Sequence, residues 1–167
     1  EKDLAQEHWF HVNKELRSKK AEPSEAKRLA RELGGLVQKN QMIKGGLISF
    51  GFIEVSAAAM KNAPEDDELQ ATFVQMLGDF CLFNTYACRK AGKAGVIDLV
   101  VAFFRTRVEQ PEAQRMLGSL GCFLDYDQEN RFKNAELGGI EHCYAMCRRY
   151  PQDIDVVFNA LCAVSNT

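Results

Sequence analysis

Gly51, Gly95 and Gly139 stand 44 residues apart, and each opens an apolar run: Phe52-Ile53, Val96-Ile97, and Ile140 followed by Glu141. The same offset joins Phe73 to Leu117 and Leu161, Met76 to Leu120 and Val164, and Gln70 to Gln114. Carried towards the N-terminus, it links Arg17, Lys61, Arg105 and Arg149 and sets Pro23 two periods before Pro111. A period shared by independent positions constrains the fold more than any local motif does. It implies one supersecondary motif repeated along the chain, each copy burying its apolar face against its neighbours. The 167 residues divide into just under four units, about 1–50, 51–94, 95–138 and 139–167, in a single domain.

Helical spacing fills the units. Val96, Leu99, Val100, Phe103 and Phe104 lie on one face of a helix from Gly95 to about Val108. Pro111 suits the first turn of the next helix, which carries Met116, Leu117, Leu120, Phe123 and Leu124 to a stop in the polar stretch 125–130. A short helix over about 130–137 leads into Gly138-Gly139, where the chain must bend and glycine is permissive. The fourth unit repeats this with helices over 139–150 and 153–166, and the second with 51–62 and 66–83. The acidic run Glu65-Asp66-Asp67-Glu68 suits the positive end of a helix dipole. The first unit is degenerate, with Leu4, Trp9, Val12 and Leu16 on one helix and Ala26, Leu29, Leu33 and Leu36 on another. No run of alternating residues suggests strands, so the expected fold class is all-α.

With 21 basic and 23 acidic residues and a net charge of -2, the chain lacks the bulk charge of a nucleic-acid or membrane-surface binder. No stretch approaches the roughly 18 apolar residues of a membrane span, and neither nucleic-acid binding nor membrane insertion is expected. The six cysteines fall inside apolar periodic segments rather than around loops, which suggests buried thiols in a reducing intracellular compartment. The cytoplasm comes first, with the nucleus or an organelle matrix as alternatives. A start at Glu1 and a stop after Ser165-Asn166-Thr167 suggest a piece of a longer or processed chain.

Gly139-Ile140 opening one helix, and Ala160-Leu161-Cys162-Ala163-Val164-Ser165-Asn166 closing another, resemble the Gly-(Ile/Val)-Pro opening and Ala-Leu-x-x-Leu-x-Asn ending of the armadillo repeat. The resemblance covers residues 51–167 in motif and period, and 1–50 in period and hydrophobic placement. HEAT repeats are the architectural alternative. The resemblance implies an α-α superhelix, an armadillo-like solenoid of about four repeats, with a protein-binding groove along the third helices. Asn166 matches the asparagine that holds a peptide backbone in that family. One and two periods earlier stand Cys122 and Gly78, so the asparagine ladder is missing. The tryptophan of the importin-α branch is replaced by Cys162, Gly118 and Val74, which argues against a receptor for nuclear-localisation signals.

The groove expected from this register comprises Val74, Gln75, Gly78, Arg115, Gly118, Ser119, Cys122, Asn159 and Asn166, with Ala71, Cys162 and Ala163 beside them. Such a small, nearly uncharged row suits a docked helix or protein surface. It equally suits close packing of adjacent repeats. The basic ladder Arg17, Lys61, Arg105 and Arg149, broadened by Arg107 and Arg148, falls where a cation complements a helix C-terminus, or where an acidic partner would dock.

Other motifs weaken on inspection. Asp125 to Glu136 imitates a calcium loop, but its sixth place is Asn130 and its ninth is Lys133. His142, Cys143 and Cys147 lack further zinc ligands, and Cys143 and Cys147 match the core positions Leu99 and Phe103. Glu7, His8 and His11 read as a solvated helix face. Ala91-Gly92-Lys93-Ala94-Gly95 lacks the spacing of a phosphate loop. No cofactor, metal or enzymatic activity is expected. The expected function is a protein-interaction scaffold or adaptor with a protein partner, the alternative being a structural subunit buried in a large assembly.

Overall fold

A computed structural model of the chain describes residues 22–39 and 41–167 together with Glu7, His11 and Lys14, the side chains of 36–39, 41 and 42 excepted. Leu4, His8, Trp9, Val12, Leu16, Arg17 and the side chain of Leu36 lie outside the described residues. Those described form ten α-helices and no strand. Helix α1 (Pro23–Lys39) precedes three triplets, each a short helix followed by two longer ones. The first is α2 (Gln41–Ser49), α3 (Phe52–Asn62) and α4 (Asp67–Cys81). The second is α5 (Thr85–Ala94), α6 (Val96–Arg107) and α7 (Pro111–Asp125). The third is α8 (Gln128–Glu136), α9 (Gly139–Arg149) and α10 (Ile154–Ser165).

Local chemistry sets most of these boundaries. Asp66 accepts the amide of Leu69 at 2.9 Å, Asn84 that of Ala87 at 3.0 Å, Asp127 that of Asn130 at 3.1 Å and Asp153 that of Val156 at 3.1 Å. Each satisfies an amide that the first helical turn leaves without an intrahelical acceptor. Pro111 occupies the first turn of α7, as expected. Between the short helix and its successor the backbone turns through a left-handed residue, Gly51 (φ 85°), Gly95 (φ 86°) and Gly138 (φ 83°), a conformation in which a Cβ is strained.

The third of these glycines corrects the expected register: it is Gly138, not Gly139. Gly139 begins α9, so close to Asn134 that a Cβ there would lie 1.9 Å from Asn134 Oδ1. The cause is a loop one residue shorter. Leu82 and Phe83 separate α4 from the cap Asn84, whereas Tyr126 alone separates α7 from the cap Asp127. The spacing is therefore 44 across the first loop and 43 across the second. One residue turns a helix face by about 100°. Ala160, fully buried, thus takes the place of Phe73 and Leu117, while Leu161, expected in the core, is 53% exposed. Ala163 likewise replaces the expected Val164, and Cys143 and Cys147 correspond to Val100 and Phe104.

The last helices of the triplets pack in succession, α1 on α4, α4 on α7 and α7 on α10. The short helix α5 sits among α3, α4, α6, α7 and α8. Phe52, Phe73, Phe80, Phe104 and Phe123 are fully buried, and the rings of Phe52 and Phe80 lie 5.1 Å apart. Buried polar groups are largely paired. Gln70 Nε2 donates to the carbonyls of Met60 (2.8 Å) and Ala63 (2.9 Å), closing the end of α3. Asn130 Nδ2 donates to Cys88 O (2.8 Å) and Phe123 O (2.9 Å), tying α8 to α5 and α7. Among the described residues, no single helix is long and apolar enough to cross a membrane.

Candidate functional site

The successive contacts of α1, α4, α7 and α10 place the groove residues predicted from sequence, and they separate into two groups. Val74 and Gly78 are buried, and a Cβ on Gly78 would lie 2.7 Å from Ser119 Cβ and Oγ, so α4 and α7 approach over this glycine. Gly118 lies under the amide of Asn159, and Asn166 Nδ2 donates to Gly121 O at 3.4 Å. The small residues and these asparagines therefore serve contacts between helices. Cys122 is half-buried, and its carbonyl accepts from Cys88 Sγ at 3.3 Å.

Gln75 and Arg115 remain exposed. Arg115 donates to Gln75 Oε1 from Nε (3.3 Å) and Nη2 (3.0 Å) and pairs with Glu68 at 2.7 Å. Glu68 also pairs with Arg31 at 2.8 Å. Hydrogen bonds from Arg115 and then Arg31 hold the Glu68 carboxyl below its ordinary range against the opposing effect of burial. This face thus carries a charged strip across α1, α4 and α7, where the sequence suggested a nearly uncharged row.

The members of the basic ladder that are described are each engaged. Lys61 Nζ donates to Ala94 O at 2.8 Å, and Arg105 Nη2 to Leu137 O at 3.2 Å. Each cation leaves the end of its own helix and satisfies the carbonyl end of the next short helix, α5 or α8, where the helix dipole is negative. Arg149 pairs with Glu109 at 3.4 Å, and Arg107 with Glu65 and, at 3.0 Å, Asp67. Arg148 is exposed.

A feature not anticipated from sequence lies at the loop between α4 and α5. Phe83 has φ 57°, the positive-φ non-glycine residue of the described backbone, and the residue is 81% exposed. It faces the Tyr126 ring at 6.3 Å with an interplanar angle of 57°. Leu82 and Tyr86 are exposed beside it. Lys44 Nζ donates to the carbonyls of Leu82 (3.3 Å) and Asp79, holding the loop to α2. This backbone conformation is costly for a bulky L side chain, and an exposed ring does not repay the cost by burial. The extra residue of this loop is hidden in the sequence, where Gly139 preserves the spacing of 44 from Gly95.

All six cysteines are free. Burial, with Cys147 nearby, pushes the Cys143 thiol up to about 12. Burial and the Arg105 charge hold His142 below its ordinary value. Most of the calcium-like stretch is helix α8, with Asp127 capping it and Asn130 buried. Among the described residues, no three His, Cys, Asp or Glu side chains gather as a metal site. Glu7 and His11 are exposed. Comparison with protein-family models, with curated proteins and with solved structures returns no match for this chain.

Proposed function

We propose that the chain is a non-enzymatic protein-interaction scaffold built as an armadillo-like array of about four repeats. Its working face is the edge of the last-helix row around Phe83. The observation that carries this reading is the exposed pair Phe83 and Tyr126, one of them held in a left-handed backbone conformation at a one-residue insertion. Aromatic side chains bring large contact area at low entropy cost, and such anchors dominate binding energy at interfaces. The strip Arg31–Glu68–Arg115 lies towards the opposite ends of α4 and α7 from this pair and adds a charged patch along the same row of helices. The alternative, a structural subunit of a larger assembly, is supported by the exposed apolar residues Ile154, Phe158 and Leu161 of α10.

Affinity capture with mass spectrometry, repeated with Phe83→Gly plus Tyr126→Ser and with Lys61→Gln plus Arg105→Gln, tests the working face. Loss of the captured protein in the first variant and retention in the second is the expected result, with thermal melts as the folding control. Retention in the first and loss in the second would place the binding face on the basic ladder instead. Bulky changes at Gly78 are unsuitable for this test, because they would wedge α4 from α7.

A further inference from the structure

We propose that the cleft between α3 and α5 binds an extended segment of a partner protein in which an apolar residue is followed, at alternate positions, by two carboxylates. The inference rests on the scaffold reading and deepens it by naming the partner's chemistry.

Helix α5 buries Ala87, Cys88, Ala91 and Gly92. Tyr86, Arg89, Lys90 and Lys93, at i, i+3, i+4 and i+7, form a stripe on its other side. With Ala94 and with Glu54 of α3, this stripe lines a half-open cavity of about 340 Å³.

Comparison of the triplets separates what packing requires from what it does not. Lys90 pairs with Glu54 at 2.5 Å, and Lys133 of α8 pairs with Asp98 of α6 at 2.6 Å, so this ion pair recurs where α6 meets α8. The rest of the stripe does not recur. Counted from the caps Asn84 and Asp127, the places of Tyr86, Arg89 and Lys93 are taken on α8 by Glu129, Phe132 and Glu136. Nor does the end of α5 need Lys93 as a cap. Lys61 Nζ already donates to Ala94 O at 2.8 Å, and the Gly95 amide bonds Ala91 O and Gly92 O. One aromatic and two cations on α5 therefore answer to nothing that the packing repeats.

The charge of the cleft fixes the sign of its occupant. Arg89, Lys90 and Lys93 line it, and Lys61 stands at its far end against Ala94. The acids facing them are Glu54, engaged by Lys90, and the buried Asp127, engaged by Arg89 at 3.4 Å and by the Asn130 amide. Arg89 keeps more than half of its side chain exposed, and no described residue pairs with Lys93. These two cations are left to meet carboxylates from outside.

Their spacing fixes the shape. Four residues of helix separate Arg89 from Lys93 by about 6 Å along the axis. Alternate side chains of an extended segment lie about 6.6–6.8 Å apart on one side, so two carboxylates with one residue between them match the pair. Tyr86 is exposed one turn before Arg89 and three residues after Phe83, with the Lys90 ammonium 5.5 Å from its ring centre. Its ring receives the apolar residue that precedes the first carboxylate.

The probe is the synthetic peptide Gly-Ser-Phe-Ser-Glu-Ser-Glu-Ser-Gly, titrated into the isotope-labelled full chain and followed by heteronuclear NMR. The expected result is a set of amide shifts along α5 and around Glu54 that weakens as salt rises. Affinity should fall at least about threefold when both glutamates of the peptide become Gln, and when its Phe becomes Ser. Arg89→Gln with Lys93→Gln should cause the same loss, with urea midpoints as the folding control. Lys93→Gln alone leaves the Arg89 contact to the α8 cap in place and should cause part of it. Lys93→Glu should lose the peptide and regain it when the second glutamate, but not the first, becomes Lys. Absence of α5 shifts at millimolar peptide, equal affinity for the Ser peptide, or indifference to these substitutions would overturn the proposal. So would tighter binding of a short single-stranded oligonucleotide along the same stripe, which would make the occupant a nucleic acid. A protein captured equally by the parent and by the Arg89 and Lys93 variant, with no peptide shifts, overturns the cleft and leaves the scaffold reading standing. Peptide shifts in a chain that captures no protein overturn the scaffold reading instead.

Discussion

Asn130 shows how much a single polar side chain can demand of its surroundings. Its amide group spans the carbonyls of Cys88 and Phe123, and its Oδ1 occupies the volume that a Cβ on Gly92 would take, 1.8 Å away. Gly92 is helical and not left-handed, so its lack of a side chain is required by space and not by φ. Gly92→Ala forces Asn130 out of place and leaves two buried carbonyls without their donor. The expected cost is about 1–3 kcal/mol, from overpacking together with the lost hydrogen bonds. Urea denaturation of the two proteins checks it, and an unchanged midpoint would show that Asn130 relaxes freely. Neither the apparent phosphate-loop glycine nor the apparent calcium-loop asparagine indicates a ligand, because each explains the other.

Among elements, the loop from α4 to α5 is where local stability and the proposed function oppose each other. Left-handed backbone costs a non-glycine L residue roughly 1–2 kcal/mol, and an exposed ring recovers little of that by packing. Phe83→Gly relieves the strain but adds freedom to the unfolded chain, which offsets part of the gain. A net stabilisation of about 0.5–1 kcal/mol is expected, read as a higher urea midpoint. The same variant should bind less, the trade expected of a strained binding position. A lower midpoint would mean that the ring stabilises the loop through Tyr126 and that the backbone carries no cost. The shorter junction before α8 needs no such residue, since Tyr126 leads directly to the cap Asp127.

At the scale of the whole molecule, stability is expected to follow neighbour contacts between triplets, so the cost of a substitution depends on which side of a helix is covered. Leu117 is fully buried on α7, a helix packed by both α4 and α10, whereas Leu161 is largely exposed on the last helix. Leu117→Ala should cost about 2–5 kcal/mol by removing a core side chain. Leu161→Ala should stay within about 0.5 kcal/mol, as exposed positions do. Denaturant midpoints of the pair decide this. A large loss at Leu161 would place that side chain in an interface absent from the described packing.

The helical class and the short-long-long order of helices were legible in the chain because glycine, proline and carboxylate or amide caps act within a few residues of themselves. The burial of Cys143 was legible too, since apolar periodicity reports a buried face whatever covers it. The phase of the last unit was not legible. A spacing of 44 and one of 43 look alike until Gly138 is seen in the left-handed turn and Ala160 in the core. The roles of the small and basic residues were equally hidden, because Gly78, Lys61 and Arg105 acquire them from a neighbouring helix tens of residues away. Sequence alone determined what each segment becomes, since that depends on nearest neighbours along the chain. The tertiary structure alone decided which residues remain free to meet a partner, since a groove residue and a packing residue differ only in what lies across from them.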